Sequence, residues 1–130
     1  MRHTIAVWAV AALVLAVPGC KRTVLNQQQD VELAAGQEKD LEIDAIKKEQ
    51  TVKVDFKSDG SPVSVYVYLE KDKDTAQRSM RTKKSDAVLG SAVDKEADVV
   101  TATVPADNVT IITIRNNSTK AAKVSVKMTN

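Results

Sequence analysis

The sequence predicts an all-β fold, an antiparallel sandwich of about eight short strands behind an N-terminal signal peptide. Three observations carry this. From Val31 onward apolar residues recur with period two, the spacing of strands buried on one face. Gly, Pro, Asn and Asp clusters interrupt these runs where turns are needed. Helical spacing of apolar residues is almost absent after the first twenty positions.

Those first positions come first in the chain. Arg2 and His3 precede an uncharged run from Ile5 to Val17, closed by Val17-Pro18-Gly19-Cys20 and followed at once by Lys21-Arg22. A basic start, a short apolar core and a small residue before the cut describe a secretory signal peptide. The run falls short of the roughly 20 apolar residues that span a bilayer. The stretch resembles the signal peptides of bacterial lipoproteins, whose lipobox ends in a small residue and a Cys. The resemblance implies cleavage between Gly19 and Cys20, and diacylglycerol on the Cys20 thiol followed by acylation of the new amine. Acyl chains of this kind hold a protein to a bilayer once two or more are present. The competing reading is an ordinary cleaved signal with an incidental Cys. The expected division is therefore 1–19 signal peptide, 20–30 lipidated Cys and polar tether, and 31–130 sandwich. Val24 and Leu25 leave open that the first strand starts inside the tether.

The strands follow in order. Val31, Leu33 and Ala35 alternate until Gly36; Leu41, Ile43 and Ala45 alternate next. Val52, Val54 and Phe56 share one face, with Lys53, Asp55 and Lys57 on the other. Ser58-Asp59-Gly60-Ser61-Pro62 is a turn, since Gly permits positive φ and Pro blocks a ladder bond. Val63, Val65, Val67 and Leu69 then line one face of the strongest strand, and Ser64, Tyr66, Tyr68 and Glu70 the other. Residues 71–86 hold a charge run and few apolar side chains; they read as an exposed connection or a crossover between sheets, with 75–81 able to form a short helix. Alternation returns at Val88, Leu89 and Val93, and then at Val100, Ala102 and Val104 opposite Val99, Thr101 and Thr103. Pro105-Ala106-Asp107-Asn108 makes a turn. Ile112 and Ile114 lie opposite Val109 and Ile111, so this strand is apolar on both faces and belongs in a sheet interior. After the Asn116–Thr119 turn, Ala122, Val124, Val126 and Met128 close the core.

The stretch from Val52 to Leu69, the Val104-Pro105-Ala106 turn, the strand ending in Asn116 and the closing Val-Ser-Val run resemble small jelly-roll modules. These are the GOLD type and bacterial pre-peptidase C-terminal domains. The resemblance covers about residues 31 to 128. It implies a jelly-roll-like sandwich acting as a binding or accessory module, with no catalytic residues to carry over.

Composition narrows the chemistry. His3 and Trp8, the single His and Trp, both fall in the signal, and Cys20 is the single Cys. A cleaved chain therefore has no His, and no disulfide can form within it. Ser-His-Asp and Cys-His nucleophiles and His/Cys metal sites are excluded on residue content. No Gly-rich phosphate loop occurs. Without Arg2, eighteen Lys and Arg face seventeen Asp and Glu, interspersed and with no basic stripe to follow phosphates, so nucleic acid is not an expected partner. Asp72 and Asp74 have a Lys between them and no following Gly, which favours a solvated turn over calcium. Asp55 and Asp59 flank a turn; a glycosidase-like pair of acids is the least favoured reading, in a chain without a mature Trp platform.

The expectation is thus a non-enzymatic lipoprotein of the cell envelope, needing no cofactor or metal, held to the membrane through acylated Cys20. Its sandwich would serve protein interaction or scaffolding. If the cell has two membranes, Lys21 after the Cys lacks the Asp that commonly retains lipoproteins at the inner one, which favours the outer membrane. The alternative is a glycan-binding module using Tyr66 and Tyr68, two apart on one face of the strongest strand and suited to stack on sugars or anchor a protein. Against it stands the reading that another element covers those rings.

Overall fold

The computed structural model describes residues 24–82 and 84–130. The signal peptide, Gly19 and Cys20 lie outside the described residues. Eight strands form: β1 (Asn26–Leu33), β2 (Glu38–Ile43), β3 (Gln50–Asp59), β4 (Val63–Leu69), β5 (Val88–Lys95), β6 (Ala97–Val104), β7 (Thr110–Arg115) and β8 (Ala122–Thr129). A 3-10 turn (Glu70–Asp72) and one helix, α1 (Lys73–Arg81), separate β4 from β5. Sheet I has the order β1-β8-β3-β6 and sheet II the order β2-β7-β4-β5, with antiparallel pairing throughout. Every connection crosses between sheets except β4 to β5. This is the eight-stranded jelly roll, two packed sheets built from Greek keys.

Period two is what makes the two layers. Along β3 the even positions from Gln50 to Ser58 are buried and the odd ones exposed. β6 and β8 repeat the pattern with Val100, Ala102 and Val104, and with Ala122, Val124, Val126 and Met128. Opposite them sheet II contributes Leu41, Ile43, Val63, Val65, Val67, Leu69, Ile112 and Ile114. Val and Ile suit this role because a branched Cβ packs well on a pleated surface. Phe56 is the one ring in this inter-sheet core and is 1% exposed. β7 lies between β2 and β4, as its two apolar faces require.

The structure corrects the sequence reading at three places. First, β1 starts at Asn26, so the strand boundary moves back from residue 31 and the open alternative, a first strand that starts inside the 20–30 segment, holds. The polar side chains of residues 26–30 hid a regular ladder with β8 that runs from Asn26↔Thr129 to Leu33↔Ala122. Second, residues 71–86 neither cross between sheets nor stay a bare connection. They return to the neighbouring strand of the same sheet, and α1 lies over its outer face with Ala76, Ser79 and Met80 buried. Third, Leu89 and Val93 are not core residues: they are 37% and 48% exposed. Register shifts against β4 turn Gly90 and Ala92 inward instead.

The last point has a steric cause. β5 and β6 meet at a corner where the sheets approach closely. A Cβ built on Gly90 would lie 2.9 Å from the Thr101 carbonyl oxygen and 2.9 Å from Val100 Cγ1. Only a residue without a side chain fits there. At the far end of the sandwich, fully buried Asn116 seals the core. Its Nδ2 donates to the carbonyls of Leu33, Ala34 and Lys120, and its Oδ1 accepts from the Ser118 N–H and hydroxyl.

In most strands Gly→Ala gains stability through lower chain entropy. At position 90 the backbone clash dominates, so Gly90→Ala should lower stability by about 1–3 kcal/mol. The midpoint of urea unfolding, compared with Ser91→Ala on the outer face of β5, measures it; equal midpoints would contradict the tight corner.

Candidate functional site

Three regions bear on function: the end where the chain enters the sandwich, the outer face of sheet II, and the outer face of sheet I.

The first is the end next to the expected anchor. Val24 is 72% exposed, whereas Leu25 packs against the core. The Leu25 N–H donates to Asn130 Oδ1 at 2.8 Å, and Asn130 Nδ2 donates to Gln50 Oε1 at 3.0 Å. The two ends of the described chain and the start of β3 are thus tied together. The β2–β3 and β6–β7 loops share this end, joined by an Asp107 N–H to Ile46 carbonyl bond of 2.7 Å. Leu25 stands five positions after Cys20, and a chain extends by at most ~3.6 Å per residue. A Cys20 held at a bilayer keeps this end of the sandwich within roughly 18 Å of it.

The second region contains the two tyrosines, and here the exposed-pair expectation is corrected. Tyr66 and Tyr68 do project from the outer face of β4, but α1 covers them: Tyr68 is 0% and Tyr66 8% exposed. With Ala76, Met80 and Ile111 they form a second, smaller apolar cluster. The Tyr68 hydroxyl lies 2.8 Å from Thr113 Oγ1, which in turn donates to Asp40 Oδ1 at 2.7 Å. A carboxylate only accepts, so the Thr113 proton goes to Asp40 and Tyr68 donates to Thr113. Lys73 Nζ, on α1, stands 3.7 Å from Asp40 Oδ2. Burial pushes the Tyr68 phenol above its usual range; its bond to Thr113 opposes this, while the charges of Asp40 and Glu38 add to the rise. Tyr68 is therefore a neutral strut between β4 and β7 rather than a contact surface. Tyr66 reaches the edge of a cleft of about 280 Å³ with Met80, Val88, Ser91, Val93 and Asp94.

The third region is bare. No helix of the described residues covers sheet I. Its outward side chains form rows across β1, β8 and β3: Glu32, Lys123, Asp59 in one and Asp30, Ser125, Lys57 in the next. They surround a shallow trough of about 640 Å³. Lys123 Nζ and Glu32 Oε1 are 3.7 Å apart with both side chains exposed, a pair worth little in water. Asp55 and Asp59 belong to this solvated face. Asp72 and Asp74 stand at the start of α1, where negative charge suits the helix dipole. Among the described residues no three His, Cys, Asp or Glu side chains gather as a metal site.

The alignment of Tyr68, Thr113, Asp40 and Lys73 was not visible in the sequence, because it joins β4, β7, β2 and α1. The cover itself left a faint trace: Ala76 and Met80 are four apart, one helical turn.

The Tyr68 shift has a definite sign. A phenol whose folded pKa is raised contributes its full stability below its unfolded value of about 10 and loses it as pH rises through the folded value. Tyr68→Phe removes this titration. It should cost about 1 kcal/mol near pH 7 and flatten the alkaline fall in the urea midpoint above about pH 10. An unchanged alkaline slope would refute this assignment.

A scan against protein-family models and a search of curated proteins return no match to this chain.

Proposed function

We propose that this chain is a bacterial cell-envelope lipoprotein, whose non-catalytic sandwich serves protein interaction or scaffolding at the membrane surface. The observation that supports it best is the fixed position of Leu25. Behind the Val17–Cys20 lipobox there is only a short tether before the chain is bound into the fold, so partners must lie at or near the bilayer. No helix of the described residues is long and apolar enough to cross a membrane, and attachment in this reading is through acyl chains on Cys20.

The interaction reading is favoured over the glycan one by the cover on Tyr66 and Tyr68, which leaves no exposed ring pair for stacking. It is favoured over hydrolysis by residue content, since no His remains after Cys20. In a cell that has two membranes, the lack of an Asp after Cys20, where Lys21 stands, favours the outer one.

Growth with a labelled fatty acid tests the anchor. The wild type should carry label and sediment with membranes. Cys20→Ala should carry none and keep its signal peptide of about 19 residues at roughly 110 Da each, so it runs larger on a gel, the acyl chains of the wild type offsetting part of that roughly 2 kDa. Absence of label from the wild type would remove the anchor. Label confined to the inner-membrane fraction would overturn the outer-membrane assignment alone.

A further inference from the structure

A sheet edge carries unpaired backbone donors and acceptors, and folded proteins blunt such edges with charge, bulges or cover. Three of the four edges here are treated in one of these ways. β2 bears Glu38, Lys39, Asp40 and Glu42, with Lys39 opposite core-facing Ile114. β5 has two register shifts, and Asp94 adopts φ 52°. β6 is covered by β5, with Gly90 pressed against the Thr101 carbonyl.

β1 has neither bulge nor cover, and its only charges, Asp30 and Glu32, lie in its second half. Its ladder to β8 runs without a shift, and the strand contains no Pro, Lys or Arg. Asn26, Gln27, Gln28 and Gln29 are neutral and exposed. Among the described residues no hydrogen bond outside the sheet engages the backbone of residues 26–32.

The charge pattern of β1 selects the occupant. Its carboxylates, Asp30 and Glu32, lie in the second half of the strand, and its first half is uncharged. Antiparallel pairing of β1 with itself about Gln27, Gln28 or Gln29 sets no carboxylate against another; about Gln28 or Gln29, Asp30 meets the other copy's neutral first half. With the axis at Gln28, Asp30 faces Asn26, Gln27 faces Gln29 and Val31 faces Leu25. An axis at Asp30, Val31 or Glu32 places carboxylate against carboxylate, which is unfavourable directly across a ladder. Two-fold self-pairing is also the commonest symmetry of homo-oligomers.

We infer that the free edge of β1 is the interaction surface and that its partner is a second copy of this chain. The dimer is built by antiparallel β1–β1 addition with its two-fold axis in the Gln27–Gln29 run. The two copies of sheet I then form one continuous sheet of eight strands. This deepens the interaction reading above by naming its partner, and confinement of both copies to one membrane raises their effective concentration.

Cysteine scanning of the full-length chain in its own membranes tests this. Gln27→Cys, Gln28→Cys and Gln29→Cys are oxidised and run on non-reducing gels, beside wild type, Glu32→Cys and Asp98→Cys. Residues facing each other on an axis come within disulfide reach, whereas Glu32 lies several residues from its own copy in every allowed register. At least one of the three Gln positions should give a dimer several-fold above all controls, with the joined peptides confirmed by mass spectrometry. Yields equal to the controls, or a disulfide to a different protein, would overturn the proposal. Fatty-acid labelling of the same samples reads the anchor independently, so failure of the dimer and failure of the lipoprotein reading remain distinguishable.

Discussion

The position of β8 is the constraint on which the rest of this fold depends. The last strand of the chain is not an edge. It lies between β1 and β3, and without it sheet I separates into a lone first strand and the β3–β6 pair. Val124, Val126 and Met128 also fill the middle of the inter-sheet core. The sandwich therefore cannot seal until the C-terminal residues are available to pair with the N-terminal ones. Pairing over such separations is slow, because loop-closure entropy is lost before the contacts form. No disulfide within a cleaved chain can shorten that search, since Cys20 is the only Cys.

The two outer faces resolve the same problem differently. Sheet II carries apolar and aromatic side chains outward, and α1 shields them from water. Sheet I carries charges and small polar groups outward and needs no cover. This asymmetry leaves the outer face of sheet I, next to the β1 edge, in contact with solvent. Function at a membrane surface and a bare first strand are consistent with one another in this geometry.

Much of the fold was legible because a strand buried on one face has to alternate. The segregation of Val52, Val54 and Phe56 from Lys53, Asp55 and Lys57 announced β3, and the two-sided apolar pattern at Ile111–Ile114 announced an interior strand. Illegible features depended on third elements. Ser64, Tyr66 and Tyr68 were correctly read as an outward row, but outward and exposed differ once a helix with only Ala76 and Met80 as apolar anchors lies on top. The alternation at Leu89 and Val93 does not face the core, because periodicity takes no account of a bulge, or of a corner that admits only Gly90. Gln27–Gln29 looked like a tether because edge strands do not need apolar side chains to pair. The lipobox-like Val17–Cys20 pattern is local and rests on the sequence alone. The uncharged first half of β1, Asn26 to Gln29, gains meaning only beside the other three edges.

The tie between Leu25 and Asn130 has a mechanical side. Under the proposed anchoring at Cys20, a lipid anchor would transmit force, and a partner gripping the far end of the sandwich would pull against it. Load enters at the start of β1 and must pass through the β1–β8 ladder, which β3 braces from behind. A pull along the strand axis shears the whole register from Asn26 to Leu33 at once, so its bonds resist together. A pull across the axis instead peels them one pair at a time, starting at Asn26. Under that anchoring, the tilt of the sandwich on the bilayer would decide whether its first strand acts as a rivet or as a zip.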